Sequence, residues 1–155
     1  MSKSALMFSA ALVLSTAAAP LLAQGHGLTP ERGTEGLSPI VFDIENTGEI
    51  SLSCGMNLAH WYSLELGQIA HGVTLRATFW SDPDTGAVVF LNPLGDQMPV
   101  ERIWCGVAGR SWDTRFEMPF KRRAGEVEVD IVLACEEGPK GASLDNITDV
   151  VCTPR

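Results

Sequence analysis

The sequence predicts an all-β fold, an antiparallel β-sandwich or small barrel of about seven or eight strands. Three observations carry that prediction. Apolar residues alternate with polar ones at period two through most of the chain after Ile50. Clusters of Gly, Pro, Asp and Asn separate the alternating runs. Four cysteines lie among those runs, and no long amphipathic helix is written anywhere. With 155 residues and 16.7 kDa the chain has room for one ordinary domain. Its 45% apolar and 19% charged residues allow a core and exclude a disordered acidic chain.

The first segment reads as an address. Lys3 precedes the apolar, alanine-rich stretch Ala5–Ala19, and Ala23 offers a small residue before Gln24. Met1–Ala23 is therefore expected to be a cleaved secretory signal of bacterial type. Cleavage after Ala19 is the rival, but it would leave Pro20 first. A retained anchor fits less well, because the stretch lacks a flanking basic stop. A secreted or periplasmic protein follows, with no membrane span after cleavage. Residues 24–39 hold four glycines and two prolines without periodicity and are expected to be a flexible linker. Residues 40–155 form the single β domain.

Within it, Ile40–Ile44 is a short first strand. Ile50, Leu52 and Cys54 alternate with serines. Tyr62, Leu64 and Leu66 alternate likewise, as do Val73, Leu75, Ala77 and Phe79. Ser81–Gly86 is a hairpin connection into Ala87–Leu91. Its Asp82-Pro83-Asp84 start resembles a calcium loop, but the glycine comes too early for one. Asn92–Asp96 ends that strand, and Val100–Cys105 follows. Trp112, Thr114, Phe116, Met118 and Phe120 define the next apolar face. Val127, Val129, Ile131, Leu133 and Cys135 define another, which leaves Glu126, Glu128 and Asp130 on a solvated outer face. Residues 149–152 make a last edge strand.

Cys54, Cys105, Cys135 and Cys152 are even in number and widely spaced. No C-x2-C pair suggests zinc, and no C-x-x-C suggests redox catalysis. Of three connectivities, Cys54–Cys105 with Cys135–Cys152 is expected. The second pair ties the C-terminal tail onto the last long strand. Bridges between sheets are anticipated, as befits an oxidising compartment.

Candidate chemistry is sparse. The chain carries 11 basic and 19 acidic residues, a net charge of −8, so no nucleic-acid footprint is present. There is no G-x-S-x-G, H-E-x-x-H, S-x-x-K or phosphate loop. Ser63, Ser81 and Ser111 offer hydroxyls for a small secreted hydrolase only if His60 or His71 supplies the base. Cleavage before Gln24 would place His26 third, and Gln24-Gly25-His26 would suit square-planar copper or nickel. His60 and His71, with Met56, Met98 or Met118, form a weaker copper arrangement. No other cofactor is expected. Trp61, Trp80 and Trp104 fall opposite the core-facing residues of their strands, and outward tryptophans mark partner surfaces. The leading expectation is an exported, non-catalytic binding or accessory module with an exposed aromatic face. It would meet a protein or a glycan, with cationic partners favoured by the acidic charge.

Overall fold

The computed structural model describes residues 30–138 and 149–155. The expected signal segment and His26 lie outside the described residues. Nine strands occur among those described: β1 (Ser38–Asn46), β2 (Leu52–Leu58), β3 (Tyr62–Ile69), β4 (Thr74–Ser81), β5 (Val88–Leu91), β6 (Gln97–Val107), β7 (Phe116–Glu117), β8 (Ile131–Glu137) and β9 (Val150–Pro154). The only helical turn among them is the 3-10 turn Ala59–Trp61. No helix there is long and apolar enough to cross a membrane.

The strands form one hydrogen-bonded path in the order β3-β2-β6-β5-β4-β1-β8-β9, with β7 added to β6. The long β6 joins the two halves of the path. Its first residues, Gln97–Pro99, pair with β5, and Val100 onward pairs with β2. A register shift between Asn57 and Leu58 marks the change of neighbour. Every pairing is antiparallel except β1 with β8, which run parallel from Phe42–Ile131 to Asn46–Cys135. Alternation alone does not distinguish these two orientations, and the expected all-antiparallel sheet is corrected at this point.

The inward faces share one core. Ile40, Phe42 and Ile44 of β1 meet Leu52, Cys54 and Met56 of β2, all fully buried. The Phe42 and Phe79 rings pack edge to face at 5.3 Å. Fully buried Asn46 is satisfied by its own turn. Its Nδ2 donates to the carbonyls of Ile50 and Ile69, and its Oδ1 accepts from Gly48.

Both expected disulfides are present, Cys54–Cys105 and Cys135–Cys152. They do not bridge separate layers. Cys54 and Cys105 are register partners on β2 and β6, and Cys135 and Cys152 are partners on β8 and β9. Each bond therefore clamps two hydrogen-bonded neighbours and fixes their register. Before β1, the end of the expected linker is tied down. The Arg32 guanidinium reaches Asp96 at 2.6 Å, and Gly33 N–H donates to the Gly95 carbonyl.

Two expected strands are shorter than their alternation suggested. From Trp112 to Phe120, only Phe116 and Glu117 pair. Buried Thr114 closes a turn before them: its hydroxyl accepts from Val107 N–H and donates to the Arg110 carbonyl. The Val127 run pairs only from Ile131, and its register is inverted before that point. Glu128, expected in solvent, is 9% exposed, while Val127 and Val129, expected in the core, are each 51% exposed. Glu128 Oε2 accepts from Lys121 and Arg122 N–H at 2.8 and 2.9 Å, and Oε1 accepts from Val129 N–H. The Glu128 N–H donates in turn to the buried Ser81 hydroxyl. Hydrogen bonds to a charged group contribute about 1.5–3 kcal/mol each. Half-exposing a valine forgoes only about 1 kcal/mol. The carboxylate wins the inward position.

Candidate functional site

The outer face of the β3-β2-β6 sheet carries a cleft of about 560 Å³. Gly55 lies in its floor, and Gly106 shapes the wall above it. On this face Gly55 is the register partner of Trp104, and Ser53 is the partner of Gly106. A Cβ on Gly55 would sit 2.8 Å from the Trp104 ring. The missing side chain is what lets the indole lie across β2. A Cβ on Gly106 would overlap the Ser111 carbonyl and come within 2.6 Å of the Ser111 Cα. Gly106 therefore lets the connection after β6, closed by Thr114, fold down onto the sheet. That connection brings Arg110, Trp112 and Asp113 to the cleft.

Trp104 is 8% exposed, and its Nε1–H has no hydrogen-bond acceptor among the described residues. Trp112 packs edge to face against it at 5.1 Å and keeps 43% of its surface exposed. The Arg115 guanidinium lies 3.9 Å from the Trp112 ring centre, with Arg102 at 5.8 Å. Both arginines approach Glu117 at 3.8 Å. These partly exposed ion pairs add little stability, but they hold the ring in place.

The opposite wall is polar and comes from β3. The Ser53 hydroxyl donates to Glu65 at 3.2 Å, and Ser63 donates to Asn57 at 3.0 Å. Gln68 completes this side. Among the described residues, neither Glu65 nor Asp113 forms a salt bridge, and Arg110 forms none either. The cleft thus combines carboxylates free of salt bridges among the described residues, a guanidinium, hydroxyls and an amide.

The three expected tryptophans do not form one exposed face. Trp104 does point away from Ile103 and Cys105, but the connection carrying Trp112 covers it. Trp80 is half-buried on β4, paired with Pro39 and Val89, in the other half of the strand path. Trp61 is fully exposed in the Ala59–Trp61 turn, with a left-handed φ of 69°. Such a conformation is costly for a bulky residue. Neither Trp61 nor Trp80 lines the cleft. Trp112 lines the cleft instead, although its alternation marks it as core. The glycine-rich Gly106–Arg110 turn just before it was the available signal.

His71 lies on the turn after β3, where its Nδ1–H donates to the Gly48 carbonyl at 2.8 Å. Nearby Glu137 accepts from Glu49 and Ile50 N–H, and its carboxyl is held below its ordinary range by backbone hydrogen bonds, with His71 adding to the effect. His60 falls in the Ala59–Trp61 turn, and its side chain lies outside the described residues. Among the described residues, no three His, Cys, Asp or Glu side chains gather as a metal site. Asp82 folds its own loop, accepting from Asp84 and Thr85 N–H and from the Thr85 hydroxyl. The Thr85 hydrogen bond first, and then those backbone bonds, hold its carboxyl below the ordinary range. Compared with known proteins, the chain matches no family model, no curated protein and no solved structure.

Proposed function

We propose that this protein is a non-catalytic binding or accessory module of an exported compartment, and that it takes its partner in the Trp104–Trp112 cleft. The observation that carries this reading is a cleft of about 560 Å³ lined by two indoles and several polar groups. That volume falls within the roughly 300–1,000 Å³ of typical ligand sites. An aromatic surface with a few placed polar groups is the usual composition of such sites.

Two disulfides support the exported setting, since such bonds persist in oxidising compartments. Removal of Met1–Ala23 as a bacterial-type signal belongs to the same proposal. So does a sandwich form, in which the two halves of the strand path close over the shared core. Trp61 is the alternative anchor, because full exposure with a left-handed backbone is a feature of binding positions.

Native mass spectrometry of the protein isolated from its own exported fraction tests the reading, with Trp112→Ala and Trp61→Ala beside the wild type. The expected result is a bound species retained by wild type and Trp61→Ala and lost from Trp112→Ala. Retention by Trp112→Ala with loss from Trp61→Ala would move the site to the turn. A bare wild-type mass across the usable concentration range would overturn the binding-module reading.

A further inference from the structure

We infer that the cleft ligand is a carbohydrate, a short neutral oligosaccharide segment bound through its hydroxyls. This rests on the cleft being the binding site and names the class of molecule it takes.

The argument begins with donors and acceptors. A hydroxyl both donates and accepts, so a sugar needs carboxylates and N–H groups in one small space. The cleft supplies Glu65 and Asp113 as acceptors and Arg110 as a donor, while the Gln68 amide offers both. None of the three ionised groups is committed to a salt bridge among the described residues. Trp104, more than nine-tenths buried, backs the cleft with ring surface and packs against Trp112. Partly exposed Trp112 offers apolar ring surface, which suits the C–H faces of a pyranose.

A cationic peptide is the competing occupant, given the net charge of −8. It would use Glu65 and Asp113, but Arg110, on the wall that carries Asp113, opposes it. Trp112 already holds one guanidinium at 3.9 Å. A second cation on this ring would face like-charge repulsion. A simple anion would suit Arg110 but meet two carboxylates. A neutral ligand rich in hydroxyls avoids both conflicts.

The test is titration of the full mature chain followed by 15N–1H correlation of its indole signals, assigned by single Trp→Phe variants. The probes are cellohexaose, maltohexaose, mannohexaose and chitohexaose, with hexalysine as the cationic control. The expected result is saturable movement of the Trp104 and Trp112 indole signals with at least one oligosaccharide and little movement of Trp61. Affinity should fall about ten-fold or more in Trp112→Ala and by several-fold in Glu65→Gln. Glu65→Gln keeps its shape and serves if Trp112→Ala fails to fold. Hexalysine alone moving the two cleft signals would overturn the carbohydrate assignment while leaving the cleft as a binding site. Sugar binding that moves only Trp61 would overturn the cleft for both. No movement with any probe would overturn the carbohydrate assignment.

Discussion

Replacing Glu128 by alanine should destabilise the domain far more than replacing its exposed neighbour Val129. Glu128 Oε2 accepts the N–H groups of Lys121 and Arg122 at 2.8 and 2.9 Å. Removing the carboxylate strands both donors in a partly buried place, at about 1–3 kcal/mol each. The third N–H, on half-exposed Val129, can turn to water. The total loss is about 2–6 kcal/mol. Val129→Ala removes only methyls that already touch water and should cost no more than about 1 kcal/mol. Glu128→Gln keeps one acceptor oxygen and should fall between them, at about 1–2 kcal/mol. Urea unfolding monitored by tryptophan fluorescence and far-ultraviolet dichroism gives the three values under oxidising conditions. The alternating pattern alone predicts the opposite order, with a buried valine and a solvated glutamate. A Glu128→Ala loss under about 0.5 kcal/mol with a Val129→Ala loss above about 2 kcal/mol would refute the inverted register.

Three further outcomes follow from the same structure. Gly106→Ala should lift the Ser111 backbone, cost about 1–3 kcal/mol, and weaken the near-ultraviolet dichroism of the Trp104–Trp112 pair. An unchanged spectrum would show that the connection does not rest on Gly106. Substituting both cysteines of one bridge by alanine should cost roughly 4 kcal/mol for Cys54–Cys105 and roughly 3 kcal/mol for Cys135–Cys152, following their loop lengths. Equal losses in calorimetry would contradict that ranking. The Asp96 carboxyl is held below its ordinary value of 3.8, first by the Asn92 side-chain hydrogen bond and then by Arg32. Because its folded value is depressed, its contribution is fully present above about pH 4 and is lost as pH falls through the lowered value. The protection factor of the Gly33 amide against hydrogen exchange should fall over that acidic window in the wild type and show no such step in Asp96→Asn.

Much of the strand layout is readable because period-two alternation reports backbone geometry directly. β2, β4 and the paired part of β8 follow it. The cysteine pairings match the expectation, but they join neighbouring strands rather than separate sheets, because alternation does not say which strands pair. The outward direction of Trp104 was readable for the same reason. Its burial was not. That depends on Gly106 admitting a connection whose next turn is closed by Thr114, and no periodicity encodes one backbone resting on another. Glu128 was misplaced because its carboxylate is captured by amides six and seven residues earlier, and its own amide by Ser81, 47 positions away. Alternation counts apolar surface and is blind to charge-assisted hydrogen bonds. Trp112 was read as core because its run contains Thr114, Phe116 and Met118 at the same spacing, although the first two residues of that run belong to a turn.

The parallel alignment of β1 with β8 has a consequence for how the chain folds. Val41 and Asp130, joined by a hydrogen bond across this seam, stand 89 positions apart. A large loop must close before the two strands can meet. Until β8 arrives, one rim of β1 has β4 on its far side and nothing on its near side. Such an unfilled rim invites wrong strands, and pairings this distant in sequence form slowly. The domain therefore cannot complete its sheet by local pairings alone. Completion waits for β8, whose other edge is joined to β9 by the Cys135–Cys152 bond.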